Sequence, residues 1–142
     1  MNKLFDKDFL DSLLAQAAES PRLRQNYDLR NSSEDTSQRM LNALLPGVEV
    51  AIHRHENTAE TVVCLRGKLE EIFYEEIEEY TSDMLSHVVE VVRKRTFREV
   101  SRQLICPSEG LYGMQIPAGT WHTVNVLEPS IIFEAKDGSY IP

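Results

Sequence analysis

Gly47-VEVAI-His53-Arg54-His55-ENTA-Glu60-TVV-Cys64-LR-Gly67 is the stretch that decides how this 142-residue chain folds. Val48, Val50 and Ile52 alternate with Glu49, Ala51 and His53, and Thr61 to Leu65 is apolar and β-branched. The alternation of the first run and the composition of the second both predict strands, with Gly67 ending the second. Residues two apart on a strand point the same way, so His53 and His55 leave one face about 7 Å apart and Arg54 leaves the other. Glu60 follows a polar turn at Glu56-Asn57-Thr58-Ala59 and can face the same interior from the next strand. Farther along, Pro117-Ala118-Gly119 precedes His122, a turn able to lay a distant strand alongside.

Imidazole nitrogen and carboxylate oxygen are the donors that a borderline divalent ion such as zinc, iron(II), nickel or manganese accepts. Three imidazoles and one carboxylate leave open positions on an ion that takes five or six ligands, which suits a reactive site better than a structural one. Singly, each residue has an ordinary reading. His53 or His55 would be a surface strand histidine, Glu60 a solvated charge with Glu56 as an alternative ligand, and His122 a core histidine beside Trp121. Together, with Gly47, Gly67, Pro117 and Gly119 at the turns, His53, His55, Glu60 and His122 predict one site for one divalent metal ion. His87, in a polar stretch, is read as a non-ligand.

The rest of the chain supplies the frame. Leu4, Phe5, Phe9, Leu10, Leu13, Leu14, Ala17 and Ala18 recur at helical spacing, with Asp6, Asp8 and Asp11 in the early turns and Pro21 closing the helix. Its stripe is expected to pack on the domain body or on a second subunit. From Ser20 to Ser37 the chain is polar and without period, an ordered arm or long loop. Leu69, Ile72 and Phe73 begin a strand that runs into the glutamate-rich stretch, and short strands are predicted at Val88 to Val92, Phe97 to Cys106, Leu111 to Ile116, Thr120 to Leu127 and Ile131 to Ala135. Residues 77–95 would also tolerate a helical turn. Strands separated by turn signals imply a mainly β sandwich or barrel. The expected organisation is one domain, with a helix and arginine-containing arm over 1–37 and a β-barrel over 38–142.

Composition narrows the function classes. Hydrophobic residues make up 42% and charged residues 27%, as in soluble globular chains. No apolar run approaches the roughly 20 residues of a membrane helix, and residues 1–8 lack a signal-peptide core, so a cytoplasmic protein is expected. A net charge of −8 argues against nucleic acid as a partner. Glu70, Glu71, Glu75, Glu76, Glu78 and Glu79 read as a solvated face, and Cys64 and Cys106 as free thiols. Cys64 shares strand parity with Glu60 and Val62, which leaves a position near the ion open to it.

The spacing from Gly47 through His53, His55 and Glu60 to Gly67 resembles the first signature motif of the cupin superfamily. Pro117-x-Gly119-x-x-His122 resembles the second, although Gly110 stands one residue too far from Pro117 and Asn125 one residue too near His122. This resemblance implies a jelly-roll β-barrel with an N-terminal helix and the same four residues as metal ligands. Pro21-Arg22-x-Arg24-x-Asn26, Gln38-Arg39-Met40-Leu41, His53-Arg54-His55-Glu56-Asn57 and Phe133-Glu134-Ala135-Lys136-Asp137-Gly138 are similar to WbuC-type cupin-fold metalloproteins. Those are small bacterial proteins associated with O-antigen and related surface-polysaccharide gene clusters. The resemblance implies a small anionic, sugar-derived substrate and a homodimer. Arg22, Arg24 and Asn26 are the expected substrate-binding residues, because guanidinium groups grip phosphate or carboxylate bidentately. Tyr27 and Glu134 are the candidate proton-transfer groups, together with Glu60 if it is loosely bound. The expected reaction is isomerisation or epimerisation; iron(II) dioxygenase chemistry and metal-dependent sugar binding without catalysis are the alternatives.

Overall fold

The computed structural model describes residues 2–82 and 91–140. Its single helix, α1 (Lys7–Glu19), starts where the Asp6 side chain accepts a hydrogen bond from the Phe9 amide at 2.9 Å. It stops at Ser20, whose amide donates to the Gln16 and Ala17 carbonyls, just before Pro21. Leu4 and Phe5, expected within the apolar stripe, precede the cap and are exposed. Leu10, Leu13 and Ala17 are buried against Leu41, Ala43 and Ile131 of the same chain, which seats the helix in cis. Burying a leucine such as Leu13 stabilises the fold by about 1.5–3 kcal/mol.

Six antiparallel strands follow: β1 (Arg24–Asp28), β2 (Ser37–Leu44), β3 (Glu60–Ser82), β4 (Val91–Ile105), β5 (Gly113–Ile116) and β6 (Trp121–Asp137). Their order is β1-β2-β6-β3-β4, and β5 pairs with the start of β3, beyond where β4 leaves off. A short 3-10 turn at Pro107–Glu109 joins β4 to β5. This is the mainly β, cupin-type jelly-roll architecture that the sequence predicts.

Several boundaries differ from the sequence reading, each for a physical reason. Arg24–Asp28 is an edge strand rather than loop, because its backbone pairs with Met40–Leu44 while its polar side chains need no buried face. Val48 to Ile52 forms no ladder; the segment is tied to β6 by the His53–His122 bridge and by the Thr123 hydroxyl, which donates to the Val50 carbonyl. The two strands expected around Leu127 and Ile131 are one, β6. Gly67 does not end its strand. Residues 77–82 and 91–95 are strand, not helical turn, whereas His87 and most of the strand expected at Val88 to Val92 lie outside the described residues.

What Gly67 does is bend the sheet. The β3–β6 register slips between Cys64 and Arg66, between Arg66 and Lys68, and between Lys68 and Leu69. Gly67 has φ +109°, and a Cβ there would collide with Ser130 Oγ and the Pro129 carbonyl. Ser130 Oγ accepts from the Lys68 amide at 3.0 Å and donates to the Glu128 carbonyl at 2.7 Å, which pins the crease. The consequence is large. Glu60 and Phe73 lie on one strand, and straight geometry would part them by about 43 Å. Phe73 pairs with His122, yet His122 Nε2 is 3.3 Å from Glu60 Oε2. The two long strands are therefore doubled over, around a core of Leu44, Val62, Cys64, Leu69, Ile105, Ile116, Val126 and Ile132.

The glutamate run is mostly a cross-strand ladder. Glu75 pairs with Arg98, Glu76 with Arg95 at 2.9 Å, and Arg102 reaches Glu70 at 3.2 Å and Glu99 at 2.7 Å. Such exposed pairs contribute roughly 0.2–1 kcal/mol each. Glu71 breaks the expectation of a solvated face: it is 2% exposed and its Oε2 has no hydrogen-bond partner among the described residues. Burial, then the charges of Glu60 and Glu134, push its carboxyl up to about 9.

Two outcomes test this frame. Gly67→Ala should lower stability in urea unfolding by about 2 kcal/mol or more, since it adds a collision to the strain of positive φ. Gly119→Ala, at φ +79° in open space, should cost about 1–2 kcal/mol; equal losses would contradict the crease. For Glu71, the folded state keeps a proton that the unfolded state releases above its ordinary value of 4.5. Its stability contribution is complete below that pH and is lost as pH rises toward 9. Glu71→Gln should therefore gain on the parent as pH rises in thermal melts; a pH-independent gap between the two would refute the assignment.

Candidate metal centre

The crease and one turn assemble four side chains from three parts of the chain. His53 and His55 lie on the extended segment beside β6, Glu60 opens β3, and His122 is the second residue of β6. His53 and His122 exchange backbone hydrogen bonds at 3.0 and 2.9 Å. The Gly119 amide donates to the His55 carbonyl at 2.7 Å, so the Pro117–Thr120 turn fixes His122 beside the histidine pair. The ring centroids stand 4.3 Å (His53–His122), 5.2 Å (His53–His55) and 5.8 Å (His55–His122) apart. His55 Nε2 and His122 Nε2 lie 3.2 and 3.3 Å from Glu60 Oε2. One donor atom from each of the four lies within 4.8 Å of all the others.

The protonation pattern favours a cation there. His53 Nδ1 is 2.8 Å from the Ala51 carbonyl and His122 Nδ1 is 2.8 Å from the Thr120 carbonyl. A carbonyl only accepts, so each Nδ1 carries the proton and each neutral ring is left with a lone pair at Nε2. Burial pulls the His53 pKa below its ordinary value, favouring the neutral, ligating form. Burial alone would raise the Glu60 carboxyl; the His122 and His55 rings and the Lys136 ammonium outweigh it and keep the group ionised. Yet Glu60 Oε2 is buried and has no satisfactory hydrogen bond. Ring N–H donation from His122 to it would require an imidazolium, whereas one cation satisfies the carboxylate and the lone pairs together. At bond lengths of about 2.1 Å, adjacent ligands on an octahedral ion stand about 3.0 Å apart, close to the two distances to Glu60. The residues fit a divalent ion.

The structure treats the other candidates unequally. Glu134 is hydrogen-bonded to Glu60, and burial, then the Glu60 charge, push its carboxyl up to about 8. Tyr27 is on the opposite face, edge-on to Phe9 at 5.1 Å in the helix-side cluster, and is not brought to the site. Arg22 and Asn26 are exposed. Arg24 is partly buried; burial and the Arg22 charge lower its pKa, against the pull of Glu134 and Tyr140. None of these three lines the cavity of about 880 Å³ beside His53 and His55, whose wall includes Arg54, Arg95, Trp121, Lys136 and Tyr140.

Arg54 corrects the parity argument. It lies 4.5 Å above the Trp121 ring and pairs with Glu56 at 2.9 Å, because its segment is not a regular strand and need not alternate. Cys64 is also corrected. It sits in the apolar core, its thiol 3.2 Å from the Arg66 carbonyl and pushed by burial up to about 11, away from the four donors. Both described cysteines are free. Lys136 was not singled out in the sequence, although it shares parity along β6 with His122 and Glu134.

Comparison with known proteins agrees at the level of fold. No curated protein matches the chain in sequence. The conserved protein SPY1581 from Streptococcus pyogenes, of unknown function, superposes with a TM-score of 0.56 at 13% identity, over 99% of this chain and 91% of that one. The capsular polysaccharide assembling protein CapF from Staphylococcus aureus gives 0.53 at 18% identity, over 87% of this chain and 30% of CapF. Recombinant oxalate oxidase in complex with glycolate gives 0.51 at 13% identity, over 85% of this chain and 54% of that one. No helix among the described residues is long and apolar enough to cross a membrane. The fold is cupin-like, and because residues 5–85, more than half of the chain, match the model for "Domain of unknown function (DUF6016)", the protein belongs to that family.

Proposed function

We propose that the protein binds one divalent transition metal ion on His53, His55, Glu60 and His122 and isomerises or epimerises a small sugar-derived anion. The observation that carries this reading is the buried, ionised and unsatisfied Glu60 oxygen facing imidazole lone pairs inside a cluster 4.8 Å across. A bound ion would act as a Lewis acid, polarising a substrate carbonyl. Glu134, raised to about 8 beside Glu60, is the proton-exchanging group of this reading, although it is not part of the cavity wall. Trp121, with Arg54 over its ring, forms part of the wall of a cavity large enough for a ligand of sugar size. The WbuC-like motifs and the capsular polysaccharide role in CapF's description support a place in surface-polysaccharide metabolism. A cytoplasmic homodimer is part of the same proposal.

A second reading, an iron(II) dioxygenase, rests on the same donors. It is compatible with the placement of Cys64 in the apolar core, outside the four-donor cluster, which keeps an oxidisable thiol out of the site. Oxygen uptake by the iron-loaded protein decides between the two.

Metal analysis of purified protein tests the shared premise. About one ion per chain is expected, with His53→Ala and His122→Ala losing at least tenfold in affinity and His87→Ala keeping it; equal retention in all would sink the ligand assignment. Bound metal should fall as pH drops below about 6.5, as protons compete for imidazole, with His53 held neutral to lower pH by its burial. Incubation with candidate sugar anions in D2O should place deuterium on a sugar carbon. Glu134→Gln should abolish that exchange while retaining metal; unchanged exchange would remove Glu134 from the chemistry.

A further inference from the structure

Lys136 is the cationic side chain placed where the metal centre meets the cavity. It is partly buried on β6, and its Nζ is 3.5 Å from His55 Nε2. It belongs to the wall of the large cavity and also to that of a smaller one of about 220 Å³, so it stands between the two. The other cations of the large cavity are already held: Arg54 by Glu56 at 2.9 Å and the Trp121 face, and Arg95 by Glu76 at 2.9 Å. Lys136 makes no salt bridge to a carboxylate among the described residues, although its charge acts on Glu60 and Glu134. The ionised Glu60 carboxylate offsets part of the repulsion between this ammonium and a cation bound at His55, and an anion bridging the two would offset more. An ammonium can donate three hydrogen bonds and accept none, which makes it a compact anchor for oxyanions.

We propose that Lys136 is the anion anchor of the site: it grips one oxygen of a carboxylate or phosphate whose other oxygen occupies an open position on the metal ion. The inference rests on the proposed metal site and deepens it, because it transfers anion recognition from the arm residues Arg22 and Arg24 to β6. The preferred ligands are then small oxyanions able to bridge Lys136 and the ion, such as a 2-hydroxycarboxylate or a phosphate ester. A neutral sugar would lack this contact.

The test uses full-length protein loaded with cobalt(II), whose visible absorption changes when an anion enters its coordination sphere. Parent protein, Lys136→Gln, Lys136→Arg and Arg22→Ala are each titrated with glycolate and, separately, with inorganic phosphate. Cobalt content is measured independently on each. The expected result is full cobalt in all four, at least tenfold weaker anion binding in Lys136→Gln, substantial recovery in Lys136→Arg, and no change in Arg22→Ala. The anion that shows the larger ratio identifies the class, carboxylate or phosphate. Full cobalt with equal anion affinity in the parent and both Lys136 variants would overturn the anchor while leaving the metal site intact. Absence of any anion response in the cobalt-loaded parent would also overturn it. Failure of the parent to take up cobalt would overturn the metal site and the anchor together.

Discussion

A creased sheet is the constraint on which the molecule depends. Glu60 and His122 belong to strands whose ladder would carry them tens of ångströms apart if it ran straight, and they meet only because β3 and β6 double over at Gly67 and Ser130. Positive φ at Gly67, close backbone approach to Pro129, and the Ser130 hydroxyl stitched to the Lys68 amide and the Glu128 carbonyl form one device. The apolar cluster of Val62, Leu69, Val126 and Ile132 fills the fold-back, and the helix covers the outer face through Leu10, Leu13 and Ala17. Packing thus supplies the stability, and the crease supplies the geometry.

The interior that this creates is not economical for folding. Glu60, Glu71 and Glu134 crowd one end of it, and they raise one another's cost of ionisation. Buried carboxylates without partners destabilise a domain by several kcal/mol each unless they take up protons or meet a cation. Two of the three resolve the conflict by holding protons. Glu60 stays ionised, and its unsatisfied oxygen points at the imidazole lone pairs. A fold that retains such a cluster against its own stability does so where a ligand compensates, the usual pattern at functional sites.

The sequence made the site more legible than the ladder. Ligand residues are read from chemistry and spacing: His53, His55, Glu60 and His122 needed only the right donors and turn residues between them, and the folded chain brings the four together. The strand limits were harder, because a glycine that creases a strand and one that ends it look alike in a single sequence. Arg24–Asp28 escaped notice because an edge strand needs backbone partners rather than alternating side chains. Parity failed for Arg54, which lies on a segment that forms no regular ladder. Glu134 came only from a motif resemblance and lies beside Glu60, while Tyr27, named on the same footing, faces the helix instead. Depth was also invisible: nothing in a run of six glutamates distinguishes Glu71, sealed in the interior, from Glu75 and Glu76 on the charged ladder.

The central claim is that one cation is held jointly by three imidazoles and the Glu60 carboxylate. X-ray absorption at the metal edge of the loaded protein addresses it without reference to any substrate. The account predicts nitrogen and oxygen neighbours at about 2.0–2.2 Å, the outer-shell scattering of three imidazole rings, and no sulfur. A sulfur neighbour at about 2.3 Å, or scattering from fewer than two imidazoles, would contradict it.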